Sequence, residues 1–307
     1  MGTCWAELHP EDNFRVFDGV HLARLELRQL KLRNHSFELG ARTLIMGVLN
    51  VTPDSFSGDG ILRDSDRAIS QALIMTRAGA DLIDVGGEST KPGSSPVSPE
   101  AELRRIVPIV KRLVKQDIPT SVDTYKPKVA REVLDLGVDA VNDVTGLRNP
   151  EMAETVAEHA AGVIILHMKG VPKTMQDNPV YPNGVVWEVR EFLRARVRIA
   201  LDAGIRNESI VIDPGIGFGK TIDQNLELIR DLGCLKLLRK PILVGPSRKG
   251  FLGRLLGAPV DQRLEGTLAA VVASIMNGAD IVRVHDVPEC RRAAVVVDAI
   301  SKERGIA

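Results

Sequence analysis

From Thr43 onward, short runs rich in Val, Ile and Leu alternate with longer stretches in which apolar residues recur every three or four positions. A short run of branched aliphatics suits a strand buried on both faces, and the longer period suits a helix with one apolar side. Their alternation predicts βα units around a parallel sheet. Eight strands are expected, at 44–49, 82–85, 120–123, 140–142, 163–167, 210–213, 242–245 and 281–285. Helical patterning is clearest at 64–78, 99–115, 127–136, 185–203 and 264–277. Eight strands in this rhythm over roughly 260 residues predict a closed (β/α)8 TIM barrel, not an open doubly wound sheet. Upstream, residues 20–32 alternate in polarity before the turn-like Arg33-Asn34-His35-Ser36, which predicts a hairpin under the barrel. The expected division is an N-terminal extension at 1–40 and one barrel domain at 41–307.

Composition narrows the function classes. Only 4% of residues are aromatic, so the core is built from aliphatic side chains, as buried parallel strands require. Forty basic and forty acidic residues balance to zero, which argues against nucleic acid or an anionic membrane surface as partner. Residues 1–18 contain acidic groups and no apolar run of leader length, and the apolar stretch 269–276 stops at Asn277 and Gly278, short of a membrane span. Cys4, Cys234 and Cys290 are far apart and odd in number, fitting isolated thiols in a reducing compartment better than a disulfide framework or a zinc set. A cytoplasmic protein is expected.

The predicted strand ends carry polar residues in nearly every unit: Asn50, Gly86-Gly87-Glu88, Asp123, Asn142-Asp143, His167, Asp213, Ser247-Arg248-Lys249, and Arg283 with His285. In a barrel these positions converge on one mouth. Singly, each Asp or Asn is equally well a helix cap or turn former. Two long loops, 50–62 and 86–97, have the Gly, Ser and Pro content of binding loops. The segment Asp213-Pro-Gly-Ile-Gly-Phe-Gly-Lys-Thr221 is not a P-loop, since Pro214 stands where the first glycine is needed, nor a dinucleotide fingerprint, since Gly219 comes one residue early. It reads as a turn that lets Asp213 and Phe218 approach a ligand. Ser247 and Lys249 offer a hydroxyl and an ammonium to an anionic or carbonyl-bearing substrate. Arg283 and His285, two apart on the last strand, share a face suited to a phosphate.

Taken in order, MGVLNVTPDSFS (46–57), DVGGESTKPG (84–93), SVDT (121–124), NDVTG (142–146), HMKGVPKTMQDNPVY (167–181), DPGIGFGK (213–220), GPSRKGF (245–251) and VRVHDV (282–287) resemble the dihydropteroate synthase family across nearly the whole barrel. The resemblance implies a TIM barrel that joins 6-hydroxymethyl-7,8-dihydropterin pyrophosphate to p-aminobenzoate, releasing pyrophosphate. It implies that Asp123, Asn142, Asp213 and Lys249 hold the pterin, that Arg283 flanks its ring, and that Asp123, Asp213 and Lys249 support the chemistry. It further implies that Asn50, Arg283 and His285 bind pyrophosphate, that Asn50 assists Mg²⁺, and that Thr90, Lys91, Pro92, Phe218 and Ser247 meet p-aminobenzoate. Lys91 stands where the family usually has Arg, replacing a bidentate fork by a point charge. A homodimer joined by the last helices is also implied. Two other readings share the pterin pocket: a pterin-dependent methyltransferase domain, against which the two long loops stand, and a non-catalytic pterin-binding protein.

Overall fold

The computed structural model describes residues 28–52, 61–91 and 93–301. Cys4, the greater part of the first loop, Pro92 and residues 20–27 of the expected hairpin lie outside the described residues. Two strands, β1 (Arg28–Lys31) and β2 (Ser36–Leu39), pair antiparallel through the expected turn, with Arg28 opposite Leu39 and Lys31 opposite Ser36. The barrel strands are β3 (Leu44–Asn50), β4 (Leu82–Gly86), β5 (Thr120–Asp123), β6 (Ala140–Asp143), β7 (Gly162–Leu166), β8 (Ile210–Asp213), β9 (Leu243–Val244) and β10 (Ile281–Val284). All neighbours are parallel, and a bridge from Ile212 to Ile242 joins β8 to the start of β9, closing the ring. The (β/α)8 expectation is met.

The helices follow from local chemistry. In α2 (Pro99–Lys115) the Ser98 side chain accepts from the Ala101 amide, Pro99 opens the first turn, and Glu100 and Glu102 face the positive end of the dipole. Its Ile106, Ile109, Val110 and Leu113 form one buried stripe against the sheet. Helices α1 (Ile61–Arg77), α3 (Pro127–Asp135), α5 (Val185–Asp202) and α8 (Leu264–Met276) match the periodic stretches. The nine-residue α4 (Pro150–Glu158) and α6 (Ile222–Arg230), the short α7 (Gly250–Leu256) and α9 (Val287–Ser301) complete the outer layer among the described residues. None of these helices is long and apolar enough to cross a membrane.

Strand alternation divides the core. Outward residues such as Ile45, Leu49, Ile83 and Val85 pack under the helices. Leu44, Met46, Leu82, Ala140, Ile164, Val211, Leu243 and Ile281 form a second cluster with Leu30, Leu32 and Leu39 of the hairpin segment. Five of these barrel residues begin their strands, so the hairpin seals the N-terminal end. Asn34 N–H and the His35 ring, both bonded to Asp139, and the Ser209 hydroxyl, which donates to Lys31 O, fix it there. The C-terminal end is left for chemistry.

Cys290 is a buried free thiol, as expected.

Candidate active site

Parallel register brings the polar strand ends onto one rim. Asn50 pairs with Gly86, Gly86 with Asp123, and Asp123 with Asn142, while Asp213 sits opposite Leu166 across the barrel's other strands. Gly86 carries no side chain into this row. A Cβ there would stand 3.5 Å from Asn50 Oδ1 and 3.6 Å from Asp123 Cβ, so the gap between those two residues stays open.

One tier lower, Asp84 is fully buried and ties three strands together. It accepts from the Ser121 hydroxyl at 2.6 Å, Asn142 Nδ2 at 3.0 Å and Arg283 Nε at 2.7 Å. Arg283 Nη2 also donates to Asp123 Oδ2 at 3.0 Å. The guanidinium is thereby held flat across the floor of the mouth. Asp123 Oδ1 and Asn142 Oδ1 are then left buried with no hydrogen-bond partner, an arrangement proteins rarely leave unmet. Both line a pocket with Asp213, Phe218, Lys249 and Arg283, walled by Val144, Leu166 and Ile216.

Burial dominates the charges here. It pushes the Asp123 carboxyl up to about 7, with Arg283 opposing and Asp84 and Glu102 assisting. Burial likewise raises Asp213 to about 6, offset in part by the Gly215 N–H bonded to its Oδ1 at 2.7 Å and by Lys249. Lys249 falls to about 8 through burial and the Arg283 charge. For Arg283 burial works against the cation, yet Asp84 and Asp123 hold its pKa above the ordinary value. Lys249 Nζ also lies 4.0 Å from the Phe218 ring centroid, which ties this side of the pocket to the Gly215–Phe218 turn. The pocket pairs carboxylates that protonate easily with one permanent cation.

His285 takes a different place from Arg283. Its backbone N–H donates to Ser247 Oγ at 3.2 Å and its Nδ1 lies 3.0 Å from the same oxygen. A hydroxyl that accepts from the amide and donates to Nδ1 would leave the ring proton on Nε2. Burial and the Arg283 charge push this imidazole down to about 3, so it is neutral. Ser247 and His285 thus form one unit beside the pocket and do not line it. Thr90 and Lys91 follow β4 in a turn, Lys91 exposed, and neither lines the pocket. Pro92 lies outside the described residues.

Sequence reasoning assigned no role to Asp84. Its signal was a lone carboxylate inside the apolar strand Leu-Ile-Asp-Val-Gly, in phase with Gly86 and therefore facing the barrel interior. Lys220 was also passed over. Fully buried, it bonds His167 Nδ1 at 3.0 Å and the carbonyls of Gly215 at 2.9 Å and Phe218 at 3.0 Å, knitting the Asp213–Lys220 turn into a closed loop.

A barrel whose mouth offers unmet acceptors, an ammonium and an arginine plate suits a flat heterocycle with several N–H donors. In agreement, the chain matches the family of pterin binding enzymes over residues 46–285 and belongs to it. Within that family it is 46% identical over 267 residues to dihydropteroate synthase of Synechocystis sp., spanning 86% of this chain and 92% of that protein. It is 45% identical over 274 residues to dihydropteroate synthase of Clostridium beijerinckii, spanning 88% and 99%. Among solved structures, dihydropteroate synthase of Clostridium difficile in the presence of pteroic acid superposes with a TM-score of 0.82 at 47% identity, covering 87% of this chain and 100% of that one. The Thermus thermophilus enzyme in complex with 4-aminobenzoate gives 0.80 at 41% identity, covering 89% and 100%.

Proposed function

We infer that this protein is a dihydropteroate synthase, which condenses 6-hydroxymethyl-7,8-dihydropterin pyrophosphate with p-aminobenzoate to give 7,8-dihydropteroate and pyrophosphate. The observation that carries this reading is the pair of buried acceptors, Asp123 Oδ1 and Asn142 Oδ1, left without donors in a pocket that also holds Asp213 and Lys249. A pterin's aminopyrimidinone edge supplies N–H donors for those oxygens and a carbonyl for the Lys249 ammonium. Arg283, fixed by Asp84 and Asp123, flanks the ring.

The reaction is substitution at the pterin methylene. The carbon–oxygen bond to the diphosphate breaks and electron release from the ring supports the methylene cation. The amine of p-aminobenzoate then forms the new carbon–nitrogen bond and loses a proton. Asp123 and Asp213, ionised, stabilise the developing positive charge. No side chain acts as nucleophile, and positioning supplies much of the rate. His285 presents Nε2–H to the diphosphate as a neutral donor, with Asn50 and the free edge of Arg283 beside it. Phe218, Ser247, Thr90, Lys91 and Pro92 are assigned to p-aminobenzoate.

Mg²⁺ fits this donor set. The ion commonly takes one or two protein oxygens and completes its shell with substrate phosphates and water, and Asn50 Oδ1 borders the open gap left by Gly86. Asn50 would hold it, and the ion would neutralise charge on the leaving group. We also propose a homodimer through α8 and α9, whose Met276, Val295, Val296 and Ile300 are exposed apolar side chains, and a cytoplasmic setting, in keeping with the neutral charge balance. Incubation with the pterin pyrophosphate, p-aminobenzoate and Mg²⁺ followed by mass analysis tests the function. Dihydropteroate is expected, and binding of the pterin without product would overturn the assignment.

A further inference from the structure

The second loop leaves β4 at Gly86 and reaches Ser98, the cap of α2, and its two ends meet on a buried charge cluster that the reaction does not use. Near the start of the loop, the Glu88 carboxylate accepts from Val97 N–H at 3.0 Å, a residue at the loop's other end, and from the Tyr125 hydroxyl at 2.9 Å. The Lys126 ammonium bonds Glu88 and, on α2, Glu102. Arg105 Nη1 donates to Gly87 O at 2.6 Å, and a Cβ on Gly87 would meet Ile106 Cγ2 at 2.7 Å, so only glycine lets the backbone lie this close to α2. Tyr125 and Lys126 stand two and three residues after Asp123 as the chain leaves β5. The base of the loop is therefore fastened to the segment that carries a pterin-binding carboxylate.

One ammonium serves two carboxylates whose side chains are only 6% and 1% exposed. Without it, two negative groups would face each other in a poorly solvated place, and the loop base would be driven away from α2. We propose that Lys126, acting through Glu88 and Glu102, is a positioning residue for p-aminobenzoate: it sets where Thr90 and Lys91 stand relative to the mouth. The loop's far side is tied separately, by Gly93 N–H to Pro172 O at 3.1 Å. Lys126 therefore governs the base of the loop, where it meets α2 and the segment that follows β5. This role rests on the synthase reading above.

The test compares wild type, Lys126→Met, Lys126→Arg and Glu88→Gln. Steady-state rates are measured against p-aminobenzoate, and calorimetry follows pterin pyrophosphate with Mg²⁺ alone. Lys126→Met is expected to raise the KM for p-aminobenzoate roughly tenfold or more while the pterin affinity moves less than about twofold, the pattern of a lost interaction confined to one substrate. Lys126→Arg should recover most of that loss, and amide exchange at Val97 should quicken in Lys126→Met. If Lys126→Met does not fold, Glu88→Gln, which leaves no uncompensated carboxylate pair, carries the same comparison. An unchanged KM for p-aminobenzoate, or equal losses for both substrates, would overturn the proposal. Wild type that makes no dihydropteroate would instead overturn the functional reading.

Discussion

Replacing Asp213 by Asn is expected to make the protein more stable and to cripple its hold on the pterin. The carboxylate is buried at the end of β8, where its Oδ1 accepts from Gly215 N–H. An amide oxygen can keep that bond while carrying no charge. Burial raises this carboxyl from 3.8 to about 6. A raised folded pKa means that the group's stabilising contribution is complete below about pH 4 and is lost as the pH climbs through about 6. Asn suffers no such loss. The separation of the two pKa values sets an upper limit of about 3 kcal/mol at pH 8, so a gain of roughly 1–3 kcal/mol is expected there and little at pH 4. For a chain of this length that corresponds to a rise of about 2–5 °C in Tm. Against it, an NH₂ group replaces an acceptor facing ligand donors, which should weaken pterin binding by roughly 2–4 kcal/mol. Thermal and urea unfolding of the ligand-free proteins at pH 4 and pH 8, with calorimetry against the pterin, measure both effects. A variant less stable than wild type at pH 8, or equally stabilised at both pH values, would refute the dominance of burial. Unaltered pterin affinity would remove Asp213 from the site.

Four further outcomes are expected. Pterin affinity of the wild type should fall roughly tenfold per pH unit below about 7, since Asp123 Oδ2 is held by Arg283 and a proton would go to the free Oδ1, turning that acceptor into a donor facing the pterin's N–H groups; a flat calorimetric profile from pH 5.5 to 8 would contradict this. Asp84→Ala should lower stability by about 3–5 kcal/mol in urea unfolding, because it removes one of the two carboxylates that hold the buried Arg283 charge and leaves the Ser121 and Asn142 donors unmet, and should weaken the pterin without touching it; retained pterin affinity would show that Asp123 is enough to hold Arg283 in its pose. His285→Ala should weaken pyrophosphate more than bare pterin, by the same factor at pH 6 and pH 8, because the ring is neutral at both; a loss that grows at low pH would mean a charged imidazole. p-Aminobenzoate should bind more tightly once pterin, pyrophosphate and Mg²⁺ are present, by about 1–3 kcal/mol, and chelation of the metal should erase the gain; identical affinities would mean a preformed second pocket.

The chemistry written locally was legible before folding. The bounds of α2 follow from Ser98, Pro99 and a three-to-four apolar repeat, all within one stretch of chain, and the structure returns the same bounds. The nine-residue helices α4 and α6 were not placed, although Asn149-Pro150 and the Thr221–Gln224 capping box mark their starts. At β9 the expected strand shrank to Leu243–Val244, because Gly245 and Pro246 weaken its end, and Ile242 keeps only a bridge.

By itself the sequence determined the architecture and which polar residues stand at the strand ends: alternating runs specify βα units, and a barrel sends every strand's C-terminal residue to one mouth. What it could not determine is which of those groups touch. Arg283 reaches Asp84 across 199 positions and Asp123 across 160, and Asp84 reaches Asn142 across 58. Only the closed ring brings β10 beside β3 and within reach of β4 and β5, and so decides that Arg283 is spent partly on Asp84. The same closure separates Ser247 and His285 from the pocket lining and leaves two oxygens unmet. Charge state was equally out of reach. A carboxyl near pH 7 and an imidazole near pH 3 arise because folding strips away water, a long-range property of packing that no local stretch of residues contains.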